Sequence, residues 1–327
     1  MTKLQDPFGR PIEYLRLSVI DRCNGRCLYC HSGQNEPLLR RDWLDFDALE
    51  RVVGLFARRG IRRVRLTGGE PLLRKGLAEL AARIHALPGI EELALSTNAA
   101  LLAPQAEALY CAGIRRLNIS LDSLQPDTFT RVSGLKLDAV LDGLNAAKAV
   151  GFSPIKINMV VMQAINAEEI EAMVAFCQAQ GFTLRLIETM PIGTAGQHIT
   201  HAHYLSLHDL EQRLQHRFGL EPVSLQGGGP ARYLRQRGSD FYLGFITPLS
   251  RHFCATCNRL RLTADGRLFP CLAQDKAVAL GPLLRGGYSD AHIETAIAHA
   301  LAHKSIPPPL SVNTPNMLKR DMNLTGG

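Results

Sequence analysis

Along the first two thirds of the chain, short apolar runs alternate with longer amphipathic ones. In the first run Leu15, Leu17 and Val19 alternate with Arg16 and Ser18, the two-residue period of a strand whose faces differ. Comparable runs predict strands over residues 15–20, 64–67, 93–96, 116–120, 155–161 and 183–188. Helical periodicity fills the intervals. Asp47-Ala48-Leu49-Glu50 resembles a capping box, Val52, Val53, Leu55 and Phe56 follow as an apolar face, and Gly60 marks the stop. Residues 77–87, 104–112, 139–150 and 168–180 carry similar patterns, and Gly113, Gly151 and Gly181 follow three of them as helix stops. Six βα units in succession imply a parallel sheet. Since eight close a full barrel, six leave an open doubly wound sheet or an incomplete barrel.

Both architectures place chemistry at the C-terminal ends of the strands. That is where the distinctive residues fall. Cys23 follows the first strand, Gly68-Gly69-Glu70-Pro71 the second, Thr97-Asn98 the third, Asp122-Ser123 the fourth and Met190-Pro191 the sixth. Beyond Met190 the pattern changes. His198, His201, His203 and His208 crowd a polar stretch without a carboxylate or cysteine to complete a compact metal set, and read as scattered surface histidines. Gln226-Gly227-Gly228-Gly229-Pro230 reads as a turn or loop.

Composition narrows the class. At 327 residues, 46% hydrophobic and 20% charged, the chain is globular in kind and long enough for one large α/β domain or two modest ones. The opening Met1-Thr2-Lys3-Leu4-Gln5-Asp6 lacks the apolar core of a secretion signal, and no apolar stretch approaches membrane-spanning length. The eight cysteines are therefore expected to be cytosolic thiols, with clustered ones acting as metal ligands. The net charge is +7 and the isoelectric point near 9.1. Because the basic residues are scattered and aromatics reach only 6%, a basic pocket for a small polyphosphate accounts for the excess better than a nucleic-acid surface.

Three of the cysteines, Cys23, Cys27 and Cys30, form C-x3-C-x2-C on one short segment. A closed structural zinc site takes four protein ligands, so this set lacks one. A zinc loop completed by His31 is one reading; a four-iron cluster with one iron left free for a small molecule is the other. A second set, Cys254, Cys257 and Cys271, has the spacing C-x2-C-x13-C and again lacks a fourth member unless His252 is recruited. Arg259 and Arg261 alternate just after Cys257, where both can face one anionic ligand. Cys111 and Cys177 sit late in helical patterns and are expected to be buried small hydrophobes.

These residues resemble the radical S-adenosylmethionine superfamily and, within it, the GTP 3′,8-cyclase family, the molybdenum cofactor biosynthesis protein A group. The resemblance runs through Asp6-Pro7-Phe8-Gly9-Arg10, Leu66-Thr67-Gly68-Gly69-Glu70-Pro71, Asn118-Ile119-Ser120-Leu121-Asp122, Glu188-Thr189-Met190-Pro191 and Asn258-Arg259-Leu260-Arg261 to the terminal Gly326-Gly327. It implies an incomplete (β/α)6 barrel over residues 1–230 and a C-terminal region over residues 231–327 that carries a second cluster. Cys23, Cys27 and Cys30 would hold one [4Fe-4S] cluster, and Cys254, Cys257 and Cys271 another. Tyr29, Gly69, Ser120 and Met190 match positions that contact S-adenosylmethionine. Arg16, Arg65, Ser96, Lys156, Arg259, Leu260 and Arg261 match positions that contact GTP. Arg259, Arg261, Gly326 and Gly327 match catalytic positions, although a Gly-Gly end taken alone reads as a disordered terminus.

The implied reaction is radical cyclisation of GTP by a 5′-deoxyadenosyl radical in the cytoplasm, the first step of molybdenum cofactor biosynthesis. The implied partners are a flavodoxin- or ferredoxin-like electron donor and the next enzyme, cyclic pyranopterin monophosphate synthase; a homodimer is allowed, and neither membrane nor nucleic acid is implied. Two segments depart from the family pattern. Cys30-His31-Ser32 stands where Cys-Met-Pro is usual, and Ser96-Thr97-Asn98-Ala99 stands where Thr-Thr-Asn-Gly is common. The rival readings are a radical enzyme with a different substrate and a zinc-binding nucleic-acid module.

Overall fold

Six of the apolar runs become parallel strands with bounds close to those read from the pattern: β1 (Tyr14–Ser18), β2 (Arg63–Thr67), β3 (Glu92–Thr97), β4 (Arg116–Ser120), β5 (Ile155–Val161) and β6 (Thr183–Glu188). The structure, a computed structural model, describes residues 3–30, 36–225, 229–306, 310–313, 318 and 320–326. Helices α1 (Phe46–Arg58), α2 (Leu77–His85), α3 (Ala106–Cys111), α4 (Pro126–Ser133), α5 (Leu137–Val150) and α6 (Ile170–Gln180) lie between these strands. The start of α1 differs from the capping box expected at Asp47. Asp45 is the cap, accepting from the Ala48 N–H at 2.8 Å, and Asp47 lies inside the first turn. Helix α4 escaped the pattern because it is short, opens on Pro126 and mixes threonine with its apolar positions.

The chain after Met190, which reads as polar and irregular, is mostly ordered. It forms α7 (Gly193–His203), α8 (Leu207–Phe218), β7 (Leu220–Val223), β8 (Arg232–Gln236), β9 (Tyr242–Ile246), β10 (Arg259–Leu262), β11 (Arg267–Phe269), β12 (Val278–Ala279), α9 (Gly281–Arg285) and α10 (Asp290–Ala302). Strand β9 pairs parallel with β6, and β10 pairs parallel with β1. Eight parallel strands therefore stand side by side, with antiparallel β11–β12 and β8–β7 at the two edges of an open twelve-stranded sheet.

The two faces of this sheet differ as the first run predicts. Leu15, Leu17, Val64, Leu66, Leu95 and Ile119 point to one side and are fully buried with Val53, Phe56 and Leu80 of the helices. The other side carries Arg16, Arg65, Ser96, Asn118, Ser120 and Asn158, which stand in register across neighbouring strands. A barrel interior is ordinarily packed with branched apolar side chains. Here the second face of the sheet is polar and cationic, so the fold reserves the space over it for a polar ligand. Cys177 is buried as expected, but Cys111 is exposed. It ends α3 on the side opposite Ala106 and Leu109, the residues by which that short helix is anchored.

Candidate functional site

The first cysteine set lies on the loop leaving β1 and is pinned from three directions. Gly69 N–H donates to the Ile20 carbonyl and Glu70 N–H to the Arg22 carbonyl, both at 2.8 Å. A methyl group on Gly69 would stand 2.2 Å from the Arg22 carbonyl oxygen, and one on Gly68 would stand 2.4 Å from that of Ile20. The two glycines therefore allow close approach of the cysteine loop itself. From β3, Asn98 Nδ2 donates to Asn24 Oδ1 at 2.8 Å. From β4, the buried Asp122 carboxylate accepts from Tyr29 Oη at 2.8 Å and from the Val160 N–H at 2.8 Å. On the same loop Asp21 accepts from Trp43 Nε1 at 2.8 Å.

The three thiols are near enough to act on one another. Burial first, and then neighbouring charges that include Cys23, push Cys30 up to about 12 and Cys27 well above its usual range. Thiols so placed favour thiolate only when a metal supplies positive charge. No protein side chain beyond Cys23, Cys27 and Cys30 completes a four-sulfur set at this loop among the described residues. Three thiols on one loop are the donor chemistry of an iron–sulfur group that takes its remaining ligand from elsewhere.

The second set enters the same cavity from the opposite end. Cys257 precedes β10, which runs parallel to β1, and Cys271 follows antiparallel β11; both therefore lie at the N-terminal end of the β1 direction, whereas Cys23 lies beyond its C-terminal end. Burial pushes Cys257 up, but Arg259 and Lys304 outweigh it and hold the thiol at about 7. Arg10 donates to the Cys254 carbonyl at 2.6 Å and the Ala255 carbonyl at 3.1 Å. His252 lines the cavity nearby. Among the described residues, no three His, Cys, Asp or Glu side chains gather tightly enough around one point to hold a single metal ion.

Between the two sets runs a row of cations. Arg261 on β10, Arg16 on β1 and Arg65 on β2 occupy one register line across three adjacent strands. Burial, followed by the charge of Arg259, brings Arg261 down to about 9, and burial followed by Arg261 and Arg65 lowers Arg16. Arg65 Nε is buried without a hydrogen-bond partner among the described residues. Arg16 and Arg261 are each 8% exposed, and charges held that far from water need polar or anionic partners.

All six clustered cysteines line this cavity, as do Tyr29, Gly69, Ser120 and Met190. Arg16, Arg65, Ser96, Arg259 and Arg261 line it as well. Two expected contacts stand apart. Leu260 points into the apolar core with no exposure, and Lys156 Nζ donates to Tyr233 Oη at 3.2 Å behind the lining. The tail reaches the site: Arg261 Nη1 donates to the Thr325 carbonyl at 3.0 Å and also to that of Gly326. Met322 N–H donates to the Cys30 carbonyl at 3.3 Å. Gly327 and His31 lie outside the described residues.

Arg185 on β6 was not singled out by the sequence pattern. It is 4% exposed and lines the cavity, with Nε donating to Asn158 Oδ1 at 2.8 Å and Nη2 to Asn118 Oδ1. Its signal was present, since a charged residue between Leu184 and Leu186 in a buried strand needs a polar purpose.

The chain is a radical S-adenosylmethionine protein. Residues 17–177 match the Radical SAM superfamily model, and residues 182–306 match Molybdenum Cofactor Synthesis C. The chain belongs to the GTP 3′,8-cyclase family. It is 44% identical to the GTP 3′,8-cyclase of Paracoccus denitrificans over 92% of this chain and 88% of that one. It is 43% identical to GTP 3′,8-cyclase 1 of Pseudomonas aeruginosa over the whole of both. In fold it is similar to Streptococcus suis SuiB bound to S-adenosylmethionine, with TM-score 0.64 and 17% identity over 85% of this chain and 65% of SuiB.

Proposed function

We propose that this chain converts GTP to (8S)-3′,8-cyclo-7,8-dihydroguanosine 5′-triphosphate, the first step of molybdenum cofactor biosynthesis. The observation that carries the reading is the Arg261–Arg16–Arg65 row lying between two cysteine triplets in one cavity. Cys23, Cys27 and Cys30 would hold a [4Fe-4S] cluster, with Tyr29, Gly69, Ser120 and Met190 around S-adenosylmethionine. Cys254, Cys257 and Cys271 would hold a second [4Fe-4S] cluster beside the guanine. When bound, these groups supply the electron and the 5′-deoxyadenosyl radical that start the reaction.

The protein's own residues bind, orient and exclude water. Arg16, Arg65 and Arg261 supply planar forks for phosphate oxygens, and Arg259, Lys156 and Ser96 extend the polar lining expected to hold GTP. Leu260 enters this set through its backbone, since its side chain belongs to the core. Arg259, Arg261, Gly326 and Gly327 are assigned catalytic roles, with the tail closing the cavity over the ribose. Substrate ribose is thereby held between the radical source at one strand end and the base-binding site at the other.

We assign residues 1–230 to a partial (β/α)6 barrel and residues 231–327 to the region bearing the second cluster. The setting is cytoplasmic; among the described residues no helix is long and apolar enough to cross a membrane. The partners are a flavodoxin- or ferredoxin-like electron donor and cyclic pyranopterin monophosphate synthase, and the chain can act as a homodimer. Cations gathered inside the sheet account for part of the +7 charge without nucleic acid. The test is anaerobic reconstitution with iron and sulfide, followed by S-adenosylmethionine, reductant and GTP. The cyclised triphosphate and 5′-deoxyadenosine should form together. Deoxyadenosine without a GTP-derived product would reject the substrate, and protein that takes up no iron would reject the reading entirely.

A further inference from the structure

We propose that Lys304 is a positioning residue that ties the two halves of the second cysteine set together and balances its charge. Lys304 stands just beyond α10 and is 3% exposed. Its Nζ donates to the Arg259 carbonyl at 2.9 Å and the Pro270 carbonyl at 2.6 Å, and lies 3.9 Å from Cys257 Sγ. The first carbonyl is two residues after Cys257 and the second immediately precedes Cys271. One ammonium group therefore fixes the spacing between cysteines that are fourteen positions apart.

An ammonium has three donors, and two of them meet carbonyls. The third faces the Cys257 sulfur. Among the described residues no carboxylate pairs with this buried cation. A buried ammonium without a counter-ion is strongly disfavoured, so Lys304, 3.9 Å from the Cys257 sulfur, is placed to balance an anionic group held by this cysteine set. Arg10 secures the other flank through the Cys254 and Ala255 carbonyls, itself held by Asp6 at 2.7 Å. The Asp6–Arg10 motif and Lys304 thus hold the cysteine loop from two sides.

The inference rests on the reading that Cys254, Cys257 and Cys271 hold a [4Fe-4S] cluster. Removing a positive charge beside an electron-accepting group makes its reduction less favourable. Lys304→Met should lower the second cluster's reduction equilibrium by about tenfold, about 59 mV for one electron, while the first cluster keeps its potential. Lys304→Arg should retain most of the wild-type value. The measurement is anaerobic potentiometry of the full chain followed by electron paramagnetic resonance, using GTP to mark the second signal and S-adenosylmethionine to mark the first. Selective loss of second-site iron in Lys304→Met would also support the role. Unchanged second-site potential and iron content would overturn it, as would loss of iron from both sites, which would mark a global folding role. Wild-type protein that binds only one cluster would overturn the two-cluster reading and this inference with it.

Discussion

Arg261 on β10 donates from Nη1 to the Thr325 carbonyl at 3.0 Å, so the segment around Thr325 is tied to a residue of the cation row. The neighbouring Gly326 has φ +70, and a methyl group there would stand 2.4 Å from Thr67 Cγ2. Gly326→Ala should therefore displace the tail, as should deletion of Gly326 and Gly327. Both changes are expected to leave iron content and melting behaviour intact while lowering cyclisation by about a hundredfold or more. Product quantified against 5′-deoxyadenosine separates the effects. A truncated chain with normal cyclisation would remove the tail from the mechanism.

Gly69→Ala should act on a different step. Its added methyl meets backbone, the Arg22 carbonyl at 2.2 Å, and backbone cannot swing aside as a side chain can. The conflict is expected to cost about 2–3 kcal/mol in the loop that presents Cys23, Cys27 and Cys30. Iron analysis should show loss from the first site with the second retained. Full iron occupancy and normal S-adenosylmethionine cleavage in this variant would refute the close-packing role.

Much of this arrangement was legible because it depends on local periodicity. Alternation between Leu15, Arg16 and Leu17 puts the arginine on the face opposite the leucines before any neighbour is known, and its burial there is a tertiary fact. The helix stops at Gly151 and Gly181 are equally local, both left-handed in the structure. What pattern could not give is the direction from which the second triplet arrives. Arg259–Leu262 is only four residues long, and its parallel pairing with β1 is a long-range fact. Lys304 was invisible for a similar reason, since its partners lie 34 and 45 positions away. The exposure of Cys111 turned on which side of a six-residue helix faces the core, too short a segment for periodicity to decide.

Arg185 provides a direct test of the cation-lined face. It is held by Asn118 and Asn158 rather than by a carboxylate, which leaves its charge available to a phosphate group. Loss of a charged hydrogen bond typically costs about 1.5–3 kcal/mol, or roughly 10- to 150-fold in affinity. Arg185→Met should raise the KM for GTP by an amount in that range, with a smaller change in kcat. Arg185→Lys should recover part of the loss, because charge returns without the fork. An unchanged KM in both variants would show that the triphosphate lies elsewhere.

Glu70 gives the pH prediction. It is 1% exposed, and burial raises its carboxyl from 4.5 to about 7 despite hydrogen bonds from Thr97 Oγ1 at 2.7 Å and the Asn98 N–H at 2.8 Å. Below the unfolded value of 4.5, folded and unfolded chains are both protonated, and the contribution to stability is fully present. As pH rises toward about 7, the unfolded chain releases a proton that the folded chain retains, so stability falls. The slope approaches about 1.4 kcal/mol per pH unit within that window and flattens above it. Denaturant midpoints of the reconstituted protein, compared with Glu70→Gln, should converge toward low pH and separate through this range, with the wild type losing stability the faster. A pH-independent difference between the two proteins would show that Glu70 is ionised throughout.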